Sequence, residues 1–207
     1  MKVSPRLRKY IETKIFPVYV ERIPAKSLDH IRYVIRRSLK FAEQVGADIN
    51  MAYAIAAYHD IGMVECRKTH ELVGGRMLRE DLNLCQFFTP DQIEIMAQAV
   101  EDHRASSKSE PRSIYGRIVS SADRMTSVDD NLKLVHDYRK QYDADMTLAE
   151  KIADSRAHLF DKWGTNGYGI TKIYFADTEF EAFLTDMRQL LADEDTFRMQ
   201  YLRVNCT

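Results

Sequence analysis

Apolar side chains recur along this chain at steps of three and four rather than two, a period that predicts helices almost throughout. The few glycines and prolines fall between the periodic segments. From Ser27 to Val45, Leu28, Ile31, Ile35, Leu39 and Ala42 lie on one face, Gly46 supplies a stop, and His30 sits in the first turn. The run from Asn50 to Tyr58 is apolar almost all round, as a central buried helix reads, and it leads directly into His59, Asp60 and Gly62.

Further along, Thr89-Pro90-Asp91-Gln92 combines a hydroxyl cap, a proline at the first helical position and a reciprocal Gln. Ile93, Met96 and Val100 then form a face that His103 continues. Ser113 to about Val128 predicts another helix, with Tyr115, Ile118, Val119 and Ala122 inward and Asp123 beside them. Thr147 and Glu150 make a second capping box for a helix reaching Lys162, the glycine-rich stretch Gly164 to Gly169 reads as a turn, and a last helix runs from Asp177 past Leu191. Lys172 to Phe175 is a candidate short strand. The expected fold is all-α, a helical bundle forming one domain over 1–207, with a core motif region at 27–128 and a C-terminal helical extension at 129–207.

Composition narrows the function classes. The 207 residues suffice for a single core. With 30 basic and 31 acidic side chains the formal charge is -1, so no global field attracts nucleic acid or an anionic membrane, and any anionic ligand must be held locally. Cys66, Cys85 and Cys206 are odd in number and lack paired spacing, which argues against a disulfide framework or thiolate zinc and for buried or idle thiols. The basic N-terminus has no apolar signal core and no later stretch is long and apolar enough to cross a bilayer, so a cytoplasmic compartment is expected.

The chemistry lies in a few polar residues on otherwise apolar faces. Two histidines and two aspartates, His30, His59, Asp60 and Asp123, offer borderline nitrogen with hard oxygen, a set suited to Mn, Fe, Mg, Co or Ni. The adjacent His59 and Asp60 can both face one ion only where the backbone turns, and Ile61-Gly62 is read as that turn. His30, the YHDIG run at Tyr58 to Gly62 and the SADRM run at Ser121 to Met125 resemble the ordered motif of HD-domain metal-dependent phosphohydrolases. The resemblance covers about Ser27 to Val128. It implies an HD-type helical bundle in which those four residues ligate a divalent metal and activated water attacks a phosphoryl group of a nucleotide-like small molecule, with Asp60 in the catalytic centre.

His70 and His103 resemble the extra ligands of dinuclear HD hydrolases, including those that split dinucleoside polyphosphates. The section from His103 through SADRM, with Phe160-Asp161-Lys162, is also similar to the single-metal branch that cleaves nucleotide pyrophosphates, where a histidine at His103 would face substrate. One or two ions therefore remain open, as does the plainer reading of His70 on an exposed helical turn and His103 at a helix C-terminus. Met63 stands where many members carry a lysine, and Glu65 or Lys68 is a substitute for it. Glu65 is the candidate general base. Arg104, Lys108 and Arg112 offer themselves to phosphate oxygens, or form a solvated basic loop, and Arg124 is placed to orient Asp123 or touch substrate. His136 and His158 read as surface residues. The expected partner is a small phosphorylated molecule, with no nucleic acid or membrane and with a homodimer allowed. A metal-holding nucleotide sensor without turnover is the alternative to an enzyme.

Overall fold

Helix formation begins at the first proline. In the computed structural model, which describes residues 2–23, 28–143 and 145–205, α1 (Pro5–Tyr10) runs through a five-residue π-turn at Ile11–Ile15 into α2 (Phe16–Arg22). The widened turn sits just before Pro17, which has no N–H to give to the preceding turn and whose ring needs room there. Leu7, Ile11, Ile15, Phe16 and Tyr19 are the buried face.

The predicted helix of the first motif is α3 (Leu28–Val45). It ends as expected at Gly46, whose φ of 67° lets the Ala47 N–H close back on the Ala42 carbonyl at 2.9 Å. Ser27 lies outside the described residues. Next, α4 (Ile49–Tyr58) starts at Asp48, whose carboxylate accepts from the Asn50 and Met51 amides. All of its residues but Asn50 are buried, so this helix has no polar face to present to water. A buried Ile or Met contributes about 1.5–3 kcal/mol, which places α4 at the centre of its unit on energetic grounds.

Two short 3₁₀ turns, Ile61–Val64 and Arg67–Thr69, lead into α5 (His70–Glu80). After another 3₁₀ turn at Leu82–Gln86, α6 (Pro90–Glu101) carries the predicted reciprocal cap between Thr89 and Gln92. Helix α7 (Ile114–Ala122) is capped by Ser113. It stops at Ala122, short of the expected Val128, because Ser127 opens a new helix, α8 (Val128–Tyr142), by accepting from the Asp130 amide. Asp123 thus becomes a helix-end residue.

The chain divides into two compact units, Met1–Asp123 and Arg124–Thr207. The second contains α8, α9 (Leu148–Trp163), α10 (Thr178–Ala192) and α11 (Glu194–Asn205). Its buried cluster centres on Trp163, edge-on to Phe183 at 5.0 Å and with its indole N–H on the Asn131 amide oxygen at 3.1 Å. The Thr147 capping box is present. The last predicted helix is two, because the Asp193 carboxylate accepts from the Thr196 amide and starts α11. Among the described residues there is no strand: Lys172–Phe175 runs irregularly, with Lys172 at a left-handed φ of 57°. The stretch after α9 is the expected turn with a short 3₁₀ piece at Tyr168–Ile170. His158 is exposed, whereas His136 is half-buried with Nδ1 3.0 Å from the Tyr201 hydroxyl. Cys66 is half-buried and Cys85 exposed, both free, and Cys206 lies outside the described residues. No described helix is long and apolar enough to cross a membrane.

Candidate metal centre

Where α4 ends, its last carbonyls lose their intrahelical donors and must find others. His59 keeps helical angles and turns its ring back, so that Nδ1–H donates to the Ala56 carbonyl at 2.7 Å. The Ala57 carbonyl accepts from the Tyr19 hydroxyl at 2.8 Å. Burial and then the charge of Asp60 raise the Tyr19 phenol, which stays protonated and able to donate. The chain leaves the helix at Asp60, with φ −104° and ψ 2°. Ile61 and Gly62 open a 3₁₀ turn directly after the dyad, though not through a left-handed glycine, since among described glycines only Gly46 has positive φ. The role of Gly62 is space: a Cβ there would lie 2.1 Å from the His70 carbonyl oxygen and 2.6 Å from the Gly74 nitrogen. Glycine lets the start of α5, and with it His70, press against the dyad.

Three imidazoles share one anchoring device. A carbonyl only accepts, so each Nδ1 facing one carries a proton, and in the neutral ring Nε2 is left with its lone pair. His70 Nδ1 faces the Arg67 carbonyl at 2.9 Å and His103 Nδ1 faces that of Val100 at 2.6 Å, in the same i−3 relation as His59 to Ala56. His103 lies just beyond the C-terminus of α6, which ends at Glu101, as in the plainer reading, but it is buried, and His70 at the start of α5 is buried rather than exposed.

The freed Nε2 atoms converge on Asp60. Its Oδ2 lies 3.2 Å from His59 Nε2 and 3.6 Å from His30 Nε2. Asp123 Oδ1 completes this group, at 3.2 Å from His30 and 3.5 Å from His59, and the ligand atoms all lie within 4.8 Å of one another. The other oxygen, Oδ1, lies 3.2 Å from His70 Nε2 and 3.8 Å from His103 Nε2, forming a second group. Asp60 belongs to both.

This donor set fits cations. His59 Nε2 is fully buried without a hydrogen bond, and the Nε2 atoms of His70 and His103, both acceptors by the tautomer argument, face each other at 3.1 Å. Two lone pairs that close repel unless something positive lies against them. Burial works against a charge on His59, but Asp60 and Asp123 outweigh it and lift its pKa up to about 10. His103 goes the other way, down to about 4, through burial and the positive charge on His59. The first group calls for positive charge, and in the second the His103 ring is kept neutral, as a metal-ligating imidazole must be.

The centre opens on one side. The side chains of Asp123 and His30 are 27% and 12% exposed, against 2% or less for Asp60, His59 and His103. Asp123 hangs from the end of α7, where its N–H still bonds the Val119 carbonyl at 2.9 Å. Arg37, fully buried, donates to the Ala122 and Ser121 carbonyls at 3.2 and 3.4 Å, so a cation holds the negative end of the helix that presents Asp123.

A family model, the HD domain, matches residues 27–127. This chain contains an HD domain. The match spans α3 to α7, and its superfamily is one of metal-dependent hydrolases whose domains bind divalent metals. The chain is also similar to the crystal structure of a predicted HD superfamily hydrolase from an uncultured Thermotogales bacterium, at 19% identity and a TM-score of 0.49 over 96% of this chain and 90% of that one. No curated protein matches the chain.

Around the HD domain's clustered residues, the other expected site residues have separate engagements. The Glu65 carboxylate is exposed and pairs with Arg76 at 2.6 Å, outside both ligand groups. Arg104 lies against the Lys68 carbonyl at 3.0 Å and the Glu71 carboxylate at 3.2 Å. Lys68 and Lys108 are exposed. Arg112 binds Asp102 and Glu101. Arg124 is buried and donates to the carbonyls of Gly169, Thr171 and Lys172, which ties down the turn after α9. Sequence reading missed Arg37 and Tyr19. Arg37 carried a signal, for it lies three residues after Val34 and four before Phe41 on the buried face of α3. Tyr19 carried none, being one of several aromatic residues in a segment with no motif.

Proposed function

We propose that this protein is a divalent-metal-dependent phosphohydrolase that cleaves a phosphoester or pyrophosphate bond in a nucleotide-like small molecule, using two ions that share Asp60. The observation that carries the reading is the division of one buried carboxylate between two sets of imidazole lone pairs. His30, His59, Asp60 and Asp123 would hold one ion and Asp60, His70 and His103 the other. Four imidazoles weigh the choice toward Fe, Mn, Co or Ni over Mg. Bound ions of this kind supply Lewis acidity, which stabilises charge on phosphoryl oxygens and makes water a better nucleophile near neutral pH.

The protein's own part is positional. The carbonyl acceptors of Ala56, Arg67 and Val100 orient the three rings so that Nε2 rather than Nδ1 faces the ligand groups, and no ring has to rotate before ligating. The partial exposure of His30 and Asp123 leaves that side for a phosphorylated molecule, while the buried His70 and His103 side keeps bulk water out. Arg104 and Lys108 follow His103 closely and offer positive charge to phosphate oxygens, which a chain of net charge -1 must recruit locally. Glu65, held by Arg76, takes no proton-transfer role in this reading.

The deciding experiment loads the protein with Mn, Co, Fe or Mg. Phosphate release is then followed from nucleoside mono-, di- and triphosphates and from dinucleoside polyphosphates. Turnover that disappears, together with bound metal, in Asp60→Ala and Asp123→Ala is the expected result. Metal retained by the wild type with no turnover of any compound would favour a nucleotide sensor, and a wild type that retains no metal would sink both readings.

A further inference from the structure

We infer that Glu71 and Arg104 form a positioning bridge for the second ligand group, holding the His70 and His103 rings so that both reach one ion. The inference rests on the two-ion reading above and adds two residues outside both ligand groups. Each directly follows a ligand, Glu71 after His70 and Arg104 after His103. The two imidazoles meet at 3.1 Å between their Nε2 atoms, and the residues that follow them meet as well. Arg104 Nη1 lies 3.2 and 3.3 Å from the two Glu71 carboxylate oxygens and donates to the Lys68 carbonyl at 3.0 Å. Nη1 carries a pair of hydrogens, so one goes to the carbonyl and the carboxylate oxygens share the other. The bridge uses Nη1 alone and leaves the rest of the guanidinium outside it.

Both rings sit where a helix begins or has ended. His103 has left α6, and its own N–H reaches the Val100 carbonyl only at 3.5 Å. His70 opens α5 and takes its ring anchor from the Arg67 carbonyl, in the short 3₁₀ turn Arg67–Thr69. Arg104 grips the carbonyl next to that anchor, and Glu71 Oε2 lies 3.5 Å from His70 Nδ1. On the other flank of His103, Asp102 is bound by Arg112 at 2.9 Å. The second group needs this support. Asp60 Oδ1 is 3.2 Å from His70 Nε2 but 3.8 Å from His103 Nε2, and metal–ligand distances tolerate about 0.2 Å. The Glu71 and Arg104 side chains are 16% and 39% exposed, and ion pairs this open contribute little to folding. Their effect therefore belongs to ligation.

Arg104→Met keeps an unbranched stem and removes the donors; Glu71→Ala breaks the bridge from the other end should the first variant not fold. Mn binding is to be measured by calorimetry, and Mn content by elemental analysis, with no phosphorylated compound present, so that any contact of Arg104 with substrate does not enter. Each variant should bind the second ion about tenfold more weakly than wild type, with an unchanged urea midpoint. Arg76→Gln, which breaks another pair of α5 with Glu65 and Glu80, should bind both ions as wild type does. A His103→Ala background separates positioning from a general loosening of the unit, because Arg104→Met added there should not weaken the remaining ion further. Second-ion affinity within twofold of wild type, or a further loss in the His103→Ala background, overturns the inference and leaves the two-ion reading standing. A wild type that holds one ion or none removes the two-ion reading and the inference with it.

Discussion

Replacing Gly62 by Ala puts the close approach of α5 to the dyad under direct load. The added Cβ would sit 2.1 Å from the His70 carbonyl oxygen, where real Cβ atoms essentially never come under 3.0 Å, so one backbone must move by at least 3.0 − 2.1 = 0.9 Å. The obstacle is main chain on both contacts, His70 and Gly74, and no flexible side-chain tip can yield instead. Two effects oppose each other. Alanine restricts the unfolded chain and gains about 0.4–1 kcal/mol, while overpacking a close contact costs about 1–3 kcal/mol. Overpacking wins, and a net loss of about 1–2 kcal/mol is expected. Because His70 is the first residue of α5, that movement exceeds the metal–ligand tolerance of about 0.2 Å several times over. The ion of the Asp60, His70 and His103 group should therefore be lost more readily than the other. Urea unfolding and metal content by elemental analysis after gel filtration measure the two effects together. Gly46→Ala is the control: its φ of 67° strains an alanine, but nothing lies within 4 Å, so it should lose stability and keep its metal. A Gly62→Ala protein with wild-type urea midpoint and metal content would refute the packing argument.

Other outcomes follow from the same geometry. His70→Ala and His103→Ala should each lower metal content from two ions per chain toward one while His30→Ala spares the buried ion, and equal losses in all three would contradict the two-group arrangement. Arg37→Met removes the donors at the end of α7 and should cost about 1–3 kcal/mol along with weaker metal retention through Asp123, read by urea midpoint and calorimetry; unchanged Mn affinity would show that Arg37 supports the helix alone. Glu94, hydrogen-bonded by Arg79, has its carboxyl pulled from 4.5 down to about 2. A depressed carboxyl stabilises the fold above its unfolded pKa and loses that contribution as pH falls toward the folded one. Glu94→Gln should therefore cost less than about 1 kcal/mol at neutral pH, since the pair is largely exposed and screened, and nothing near pH 2. A difference that persists at pH 2 in urea titrations would rule out this ion pair as its source.

Much of the fold could be read from local signals because those signals act over three or four residues. The Thr89 and Thr147 capping boxes and the helix stop at Gly46 do in space what their positions in the chain announce. Signals of the same reach also ended α7 earlier than periodicity alone predicted, through Ser127, and opened α11 as a separate helix after α10, through Asp193. The motif order brought His30, His59, Asp60 and Asp123 into view together, and the extra histidines with them.

By itself, then, the sequence determined an all-helical chain with buried polar residues awaiting a common partner, since periodicity and capping are properties of neighbouring residues. Only the tertiary structure decided how those residues divide. The two faces of Asp60, the room that Gly62 leaves for α5, and the grips of Arg37 and Tyr19 on helix ends join segments far apart in the chain, and such contacts leave no periodic trace along it.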